Sequence, residues 1–442
     1  MSAAATLPGP RSRRPAGSMP DFRRDPLGFL EDLVARYGDL CGFRLYNVPC
    51  CVVNDPALIR ELLVSRNTRL RKPWDVRQLR LALGDGLLTS EGERWERHRR
   101  MIQPAFAHAR IRRYAGAMTA RTADRLTGWH GGEVVDVHAE MGVLTLSIAA
   151  DALFGTDLSD LAPQVGVALA AFMDAFERMM TAAFPLPLSL PTPAGLRARR
   201  AVATLDRIVH ELIRRRRGEG PGEDLLSDLL ATHDRGGTLD ERALRDELVT
   251  LLLAGHETTA LALTWSLYLL ATHPRELAAA QAELDTVLAG RTPAAADAGS
   301  LERIRAVVRE ALRLYPPAWG VGREALEPLE IGGCPLRRGT QIFMLQYLTQ
   351  RDARYFDDAN SFRPARWLEG ERQHPRYAYY PFGGGPRVCV GSSFAELEAS
   401  LVLATILQRF GISPATADPP ELQPAITLRP RHGLRLRLVD RY

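Results

Sequence analysis

A lone cysteine stands in a setting that suggests chemistry. Cys389 follows three glycines and a proline in PFGGGPRVCVGSSF, residues 381–394, and a helical pattern begins directly after it. Glycines let a backbone turn tightly or approach a flat or bulky group closely. A thiol at the start of a helix is easier to ionise, because the helix dipole favours the thiolate. The stretch therefore favours a functional thiol over a small buried core residue.

Three chemistries could use this stretch. A cysteine nucleophile needs a histidine partner, and none of the ten histidines stands in a diagnostic local context. A phosphate-binding loop is disfavoured, because Val388 replaces the third glycine of G-x-G-x-x-G and no Walker-type lysine follows. A metal thiolate has no second Cys or His nearby, which disfavours zinc, whereas heme iron needs only one protein ligand on that face. The nucleophile and the heme ligand both remain open on the residues alone.

A second group of polar residues lies inside an apolar helical pattern. The stretch LVTLLLAGHETTALALTWSLYLLA is apolar on all sides except around Glu257 and Thr258. Thr238 and Glu241 have the spacing of a capping box, and the helical pattern then runs to His273. At ~1.5 Å per residue, such a helix is about 50 Å long. We therefore expect a long central helix.

The length of this helix also suits a membrane span. His256 and Glu257 would then lie near the middle of the bilayer, which is costly, and no second span accompanies them. A helix buried in a large protein explains the all-round apolarity, so we expect no membrane span. Burying an acid and an alcohol is also costly without a purpose, which makes Glu257 and Thr258 candidates for function.

The two stretches together resemble a known family. Phe382, Gly385, Arg387, Cys389 and Gly391 fill the pattern F-x-x-G-x-R-x-C-x-G, which is similar to the heme-binding loop of the cytochrome P450 monooxygenases. The stretch AGHETT, residues 254–259, resembles the oxygen-activation motif of the same family. The resemblance extends over nearly the whole chain, from about residue 20 to residue 440.

The resemblance implies specific roles for these residues. It makes Cys389 the axial thiolate of heme b, with Phe382 covering the sulfur, Arg387 reaching a propionate, and Ala254 and Gly391 lying against the cofactor. It also implies that Thr258 hydrogen-bonds dioxygen and that Glu257 helps to relay protons. The glycines of the loop are then expected to let the backbone lie against the porphyrin face.

Further motifs fit the same family. Glu310 and Arg313 form E-x-x-R, and Arg366 follows in SFRPARW, where the family has a buried Glu–Arg–Arg network that braces the heme loop. Ala365 replaces the glutamate that the family usually carries there, which puts one peripheral contact in doubt.

The resemblance also implies propionate contacts outside the loop. The pattern W-x-x-x-R is filled by Trp95 and Arg99, one turn apart on a helix, and Arg323 stands where the family has another propionate-binding arginine. His98 suits either a propionate contact or a solvent-facing position.

The predicted fold class is mainly α with small β-sheets (α+β). The resemblance implies the P450 fold, a triangular helical body with a long central helix over the heme. We expect one catalytic domain over residues 19–442 after a flexible lead over residues 1–18. Alternating runs predict a β-hairpin at CGFRLYNVPCCVVND and another around His432 and Gly433.

Composition is compatible with this reading. The chain has 442 residues and a net charge of +5, a mild excess that suits an acidic protein partner and does not argue for nucleic acid. The five cysteines are odd in number and irregularly spaced, which indicates a reducing compartment. The N-terminus lacks an apolar run, so we expect a cytoplasmic protein, and we expect a monomer.

The expected function is insertion of one oxygen atom of O2 into a C–H or C=C bond of a lipophilic molecule, such as a terpenoid or a fatty acid. The electrons would come from NAD(P)H through a reductase and a separate ferredoxin or flavodoxin. The alternative is a heme-thiolate peroxygenase or an isomerase of oxygenated lipids that needs no redox partner. A heme binder without enzymatic activity and a heme-free cysteine nucleophile are further rivals.

Overall fold

Helices form most of the structure, and the strands are short. The computed structural model describes residues 7–12, 14–155, 161–182, 186–220, 222, 224–234, 240–368 and 374–441. This arrangement confirms the predicted mainly helical fold with small sheets.

The α-helices are numbered in chain order. They are α1 (Met19–Arg24), α2 (Pro26–Tyr37), α3 (Pro56–Arg60), α4 (Trp74–Gln78), α5 (Arg80–Leu83), α6 (Gly92–Ile102), α7 (His108–Leu126), α8 (Val137–Phe154), α9 (Ala162–Thr181), α10 (Pro193–Glu219), α11 (Leu225–Asp234), α12 (Glu241–Thr272), α13 (Pro274–Leu288), α14 (Glu302–Leu314), α15 (Gln346–Thr349) and α16 (Ser392–Arg409).

The strands make two small sheets and two hairpin-like pairs. They are β1 (Leu40–Leu45), β2 (Val48–Val53), β3 (Leu70–Arg71), β4 (Val134–Asp136), β5 (Val321–Ala325), β6 (Leu329–Ile331), β7 (Cys334–Leu336), β8 (Gln341–Met344), β9 (Phe410–Pro414), β10 (Leu422–Pro424), β11 (Leu428–Pro430) and β12 (Arg435–Asp440). The sheet orders are β1-β2-β8-β5-β3, β4-β12-β9, β10-β11 and β6-β7.

The chain divides into two compact units, each made of three separate stretches. The first unit contains Met1–Gln78, Arg313–Ser361 and Glu371–Cys389, and the second contains Leu79–Leu312, Phe362–Gly370 and Val390–Tyr442. One catalytic domain over residues 19–442 stays a prediction.

The first unit is built on the five-stranded sheet. Its β1–β2 hairpin confirms the first predicted hairpin, with Leu45 paired to Val48. Tyr46 adopts the left-handed conformation (φ 53°) in the turn between them. The described part of the predicted flexible lead lies along β1, because the amide of Gly42 donates to the carbonyl of Pro8 (2.7 Å) and the amide of Ser18 to that of Arg44 (2.7 Å).

The second unit is organised around α12, the predicted long helix. The helix begins at Glu241, and its N-cap is Asp240, whose side chain accepts a hydrogen bond from the amide of Ala243. Thr238, the predicted capping residue, lies outside the described residues. The helix ends at Thr272, close to the predicted end, and it packs against α8, α10 and α16.

Two described helices, α8 and α12, are long and apolar enough to cross a membrane. Most of the apolar stretch of each is buried within the protein. Trp265, for example, has no exposed surface in α12. Burial against other helices therefore accounts for the apolarity of α12, as expected.

The prediction of a hairpin around His432 and Gly433 is wrong. Strand β11 pairs with β10, whereas β12 pairs with β9 and β4. Leu436 and Leu438 are buried and alternate with exposed residues, so the strand pattern itself was correct. Alternation reports that one face is buried, but it does not identify the neighbouring strand.

Candidate functional site

The loop before Cys389 folds back on itself and leaves its thiol exposed. The amide of Cys389 donates to the carbonyl of Phe382 (3.0 Å), and the amide of Val388 donates to that of Gly385 (3.1 Å). Gly383 (φ +72°) and Gly385 (φ +66°) adopt left-handed backbone conformations that other residues rarely adopt. Cys389 lies three residues before the start of α16.

Two of the three glycines, Gly384 and Gly385, are needed for packing within the protein. A Cβ at Gly384 would lie 2.4 Å from the Tyr377 ring, and one at Gly385 would lie 2.0 Å from the carbonyl oxygen of Leu63. A Cβ at Gly383 would meet only Val321, at 3.9 Å. The close approach of a glycine to a flat group is observed at Gly384, where that group is the ring of Tyr377. The expected contact of the loop with a porphyrin face stays a prediction.

Cys389 differs from the other four cysteines, which are all buried. Burial raises the pKa of Cys41 to about 11 and that of Cys50 to about 12, so these groups stay protonated near neutral pH. Among the described residues, no group of three or more His, Cys, Asp and Glu side chains could hold a metal ion.

The middle of α12 is open on one side although the helix is otherwise buried. Ala254 is exposed and the following four residues are partly exposed. The hydroxyl of Thr258 donates to the carbonyl of Ala254 (2.7 Å), as a helical threonine can. The helix is continuous through this stretch.

Glu257 is held by a residue that the sequence did not single out. The hydroxyl of Thr427 donates to Oε1 of Glu257 at 2.6 Å, and Thr427 is buried. Thr427 lies 170 residues further along the chain, in the turn before β11. An ordinary Ile-Thr-Leu run gives no local signal for such a contact.

His256 is a neutral neighbour of this pair. Although His256 is partly exposed, its ring nitrogen Nδ1 is buried, and this burial, together with the nearby His138, lowers the pKa of His256 to about 4. Its backbone carbonyl accepts a hydrogen bond from the Thr145 hydroxyl of α8 (2.9 Å). His256 is therefore uncharged near neutral pH and cannot supply a proton there.

Helix α6 carries the three residues predicted to lie near a propionate. Trp95 and Arg99 are half-buried one turn apart, and Arg99 donates to Oε1 of Gln103 (3.3 Å). His98 is buried, so a solvent-facing position is excluded. Its Nδ1 contacts Oε1 of Glu247 on α12, a fully buried carboxylate that the sequence reasoning missed. One ring nitrogen of His98 thus joins α6 to α12.

Glu310 is the fully buried centre of a hydrogen-bond network in the second unit. Its carboxylate accepts from the amide of Arg363 (3.0 Å), from Nε of Arg366 (3.0 Å) and from Nε1 of Trp367 (2.8 Å). The family's usual glutamate is absent at Ala365, and Trp367 is an additional donor that the sequence reasoning did not identify.

Arg313 is fully buried in the first unit. Its guanidinium donates to the carbonyls of Gln350 (2.8 Å), Ala359 (2.6 Å) and Ser361 (3.1 Å). The side-chain carbonyl of Gln350 in turn accepts from the amide of Tyr380, which brings this network to the segment that leads to Cys389.

Two further predicted cofactor contacts, Arg323 and Arg387, lie in the first unit. Arg323 lies on β5 and donates to the carbonyl of Gly322 (2.7 Å). Arg387 is half-buried in the loop itself, two residues before Cys389.

Comparison with known proteins assigns the family. The family model described as Cytochrome P450 matches residues 7–436. The chain is a cytochrome P450. It is 37% identical to cyclooctatin synthase of Streptomyces melanosporofaciens over 93% of this chain and 89% of that protein. It is 36% identical to pentalenene oxygenase of Streptomyces avermitilis, with 95% and 94% covered, and 36% identical to cyclooctat-9-en-7-ol 5-monooxygenase of Streptomyces melanosporofaciens, with 88% and 86% covered.

The residues of this P450 fit a heme. The donor set is a single exposed thiol, Cys389, which suits an iron that takes four ligands from a porphyrin. In α12, the exposed Ala254 and its partly exposed neighbour Gly255 offer a surface without bulky side chains. The guanidinium groups of Arg99 and Arg387 suit the carboxylates of heme.

The glycine loop of the P450 can be tested with a matched pair. Gly383→Ala and Gly385→Ala both place a Cβ on a left-handed residue, at a cost of about 1–2 kcal/mol. Gly385→Ala also forces that Cβ against the Leu63 carbonyl. We expect Gly385→Ala to lose most of its bound heme and Gly383→Ala to keep most, as measured by heme absorbance per protein. Equal retention would contradict the role of the Leu63 contact.

His256 should make stability depend on pH. Its pKa is about 4 in the folded state and about 6.5 when unfolded, so the unfolded chain binds the extra proton between these values. Stability is therefore lost as pH falls from 6.5 towards 4. We expect the difference in unfolding free energy between the parent and His256→Gln to change by about 2 kcal/mol from pH 7 to pH 5. The unfolding free energies can be measured by urea titration at each pH. If they change with pH in parallel for the parent and His256→Gln, the proposed effect of His256 burial is wrong.

Proposed function

We propose that this P450 inserts one oxygen atom of O2 into a C–H or C=C bond of a terpenoid, with electrons from a separate ferredoxin or flavodoxin. The observation that carries the proposal is the exposed thiol of Cys389, in a protein that also retains the acid–alcohol pair Glu257 and Thr258 in an apolar helix. The overall reaction consumes two electrons and two protons, and the second oxygen atom leaves as water.

Cys389 would hold the heme iron as a thiolate, supported by Phe382 and Gly391 on either side in sequence. Trp95, Arg99, Arg323 and Arg387 would bind the propionates, and His98 would fix α6 through Glu247. When bound, heme supplies the reductive activation of dioxygen and the transfer of one oxygen atom. Two hydrogen-bond networks, one joining Glu310 to Arg366 and one around Arg313, would brace the segments that carry these heme-binding residues.

Thr258 and Glu257 would manage protons. The Thr258 hydroxyl now donates to the Ala254 carbonyl and is partly exposed, so it can turn to donate to dioxygen instead. Glu257 is the nearest carboxylate in sequence, and it is partly exposed rather than sealed. The surrounding apolar side chains of α12 would limit water to the few molecules that deliver protons.

A terpenoid substrate is supported by the relatives. Pentalenene oxygenase and cyclooctat-9-en-7-ol 5-monooxygenase are named for oxygenation of terpenoids. The segments that we expect to face the substrate, residues 72–88, 172–184, 252–259 and 318–321, are largely apolar, which suits a hydrocarbon skeleton. A fatty acid is the second substrate class that such a surface suits.

An acidic electron donor is supported by the charge of α6 and α7. Arg97, Arg100, Arg112 and Arg113 are exposed there, whereas Arg110 pairs with Asp228. Exposed cationic groups speed the association of an acidic protein in a manner that salt weakens. Ferredoxins and flavodoxins are acidic proteins of this kind.

Turnover of a terpenoid tests the proposal. With ferredoxin, reductase and NAD(P)H, we expect the parent to couple cofactor oxidation to a hydroxylated or epoxidised product. Thr258→Ala should lose product formation by about a hundredfold while NAD(P)H is still consumed and peroxide accumulates, because proton delivery in the transition state is lost.

Thr258→Ser is the matched control, since it keeps the hydroxyl and should retain most of the product. Equal product from Thr258→Ala would overturn the role of Thr258. Product formation with peroxide alone, at the rate seen with ferredoxin, reductase and NAD(P)H, would instead favour the peroxygenase or isomerase alternative.

A further inference from the structure

The short β10–β11 pair brings Thr427 to Glu257. Gln423 pairs with Arg429 and Pro424 with Leu428, so residues 425–427 form the turn. From this turn the Thr427 hydroxyl donates to Oε1 of Glu257 at 2.6 Å. The hydroxyl of Thr427 is the donor in this hydrogen bond, and the carboxylate oxygen of Glu257 is the acceptor.

The turn is attached to α12 at a second point. Nε1 of Trp265 donates to the carbonyl of Leu428 at 3.0 Å, and Trp265 has no exposed surface. Trp265 and Glu257 lie eight residues apart on the same helix, about two turns. Two bonds at this spacing prevent the turn from rotating against α12.

The other side of the pair is attached to α9 through one carboxylate. Nε2 of Gln423 donates to Oε1 of Glu177 at 2.5 Å, and Nη2 of Arg429 donates to Oε2 at 2.6 Å. Gln423 and Arg429 are directly opposite each other in the register, so Glu177 binds both strands at once. The position of Thr427 therefore depends on contacts with two helices.

We propose that Thr427 is a positioning residue for Glu257. Its hydroxyl, fixed by the β10–β11 pair, orients the carboxylate that handles protons. The inference rests on the proton role of Glu257 given under Proposed function. Thr427 affects the reaction through its contact with Glu257 on α12 rather than through contact with the substrate.

A matched pair of variants of the holoenzyme tests this role. Thr427→Val keeps the shape and removes the hydroxyl, whereas Thr427→Ser keeps the hydroxyl. We expect Thr427→Val to slow product formation about tenfold, in line with the loss of one hydrogen bond to the carboxyl group of Glu257, and to raise the solvent deuterium isotope effect. Thr427→Ser should stay within about twofold of the parent.

A second measurement needs no turnover. The infrared carboxylate band of Glu257 can be assigned by subtracting the spectrum of Glu257→Gln. We expect this band to shift in Thr427→Val and to stay in place in Thr427→Ser, because the hydrogen bond is lost only in the first. An unmoved band in Thr427→Val would overturn the proposal without touching the proposed function.

The double variant separates action through Glu257 from a direct effect on substrate. In the Glu257→Gln background, Thr427→Val should add no further loss of product formation. The same tenfold loss in both backgrounds would overturn the proposal. Unchanged product formation in Glu257→Gln alone would overturn the proton role of Glu257, and with it the catalytic part of the proposal. The infrared shift of the Glu257 band in Thr427→Val would still show the hydrogen bond between the two residues.

Discussion

The backbone hydrogen bond from Cys389 to Phe382 is the constraint on which the site depends. It closes a loop in which two glycines take left-handed conformations, and it leaves one thiol exposed while the other four are buried. In the proposed role, Cys389 is the single protein ligand of the heme iron, so no second protein ligand corrects its position. The loop packs closely against Tyr377 and the Leu63 backbone, and these contacts hold it in place.

The second constraint is the cost of keeping the partly exposed polar groups of Glu257 and Thr258 in the otherwise apolar helix α12. Hydrogen bonds offset this cost: the Thr258 hydroxyl donates to the Ala254 carbonyl, and the Glu257 carboxylate accepts from the Thr427 hydroxyl. Each satisfies the rule that polar groups in apolar surroundings need partners. Each partner also fixes the orientation of a side chain for which we propose a role in proton handling.

Local sequence patterns predicted a large part of this structure. The apolar run of α12, the β1–β2 hairpin and the pattern around Cys389 depend on near neighbours in the chain, and each was visible before the fold was known. Contacts between distant segments were not visible in this way. Thr427 lies in an unremarkable run, and Glu247 looks like one more charged residue at the start of a helix. The hairpin prediction for β12 was wrong for the same reason, because alternation along a strand does not identify the strand that pairs with it.

The central claim is that Cys389 binds heme iron as a thiolate. The most direct measurement is the absorption spectrum of the purified protein after reduction under carbon monoxide. The account predicts the red-shifted Soret band that thiolate ligation produces, and its loss in Cys389→Ala. A parent protein that binds no heme, or a band that persists in Cys389→Ala, would contradict the account.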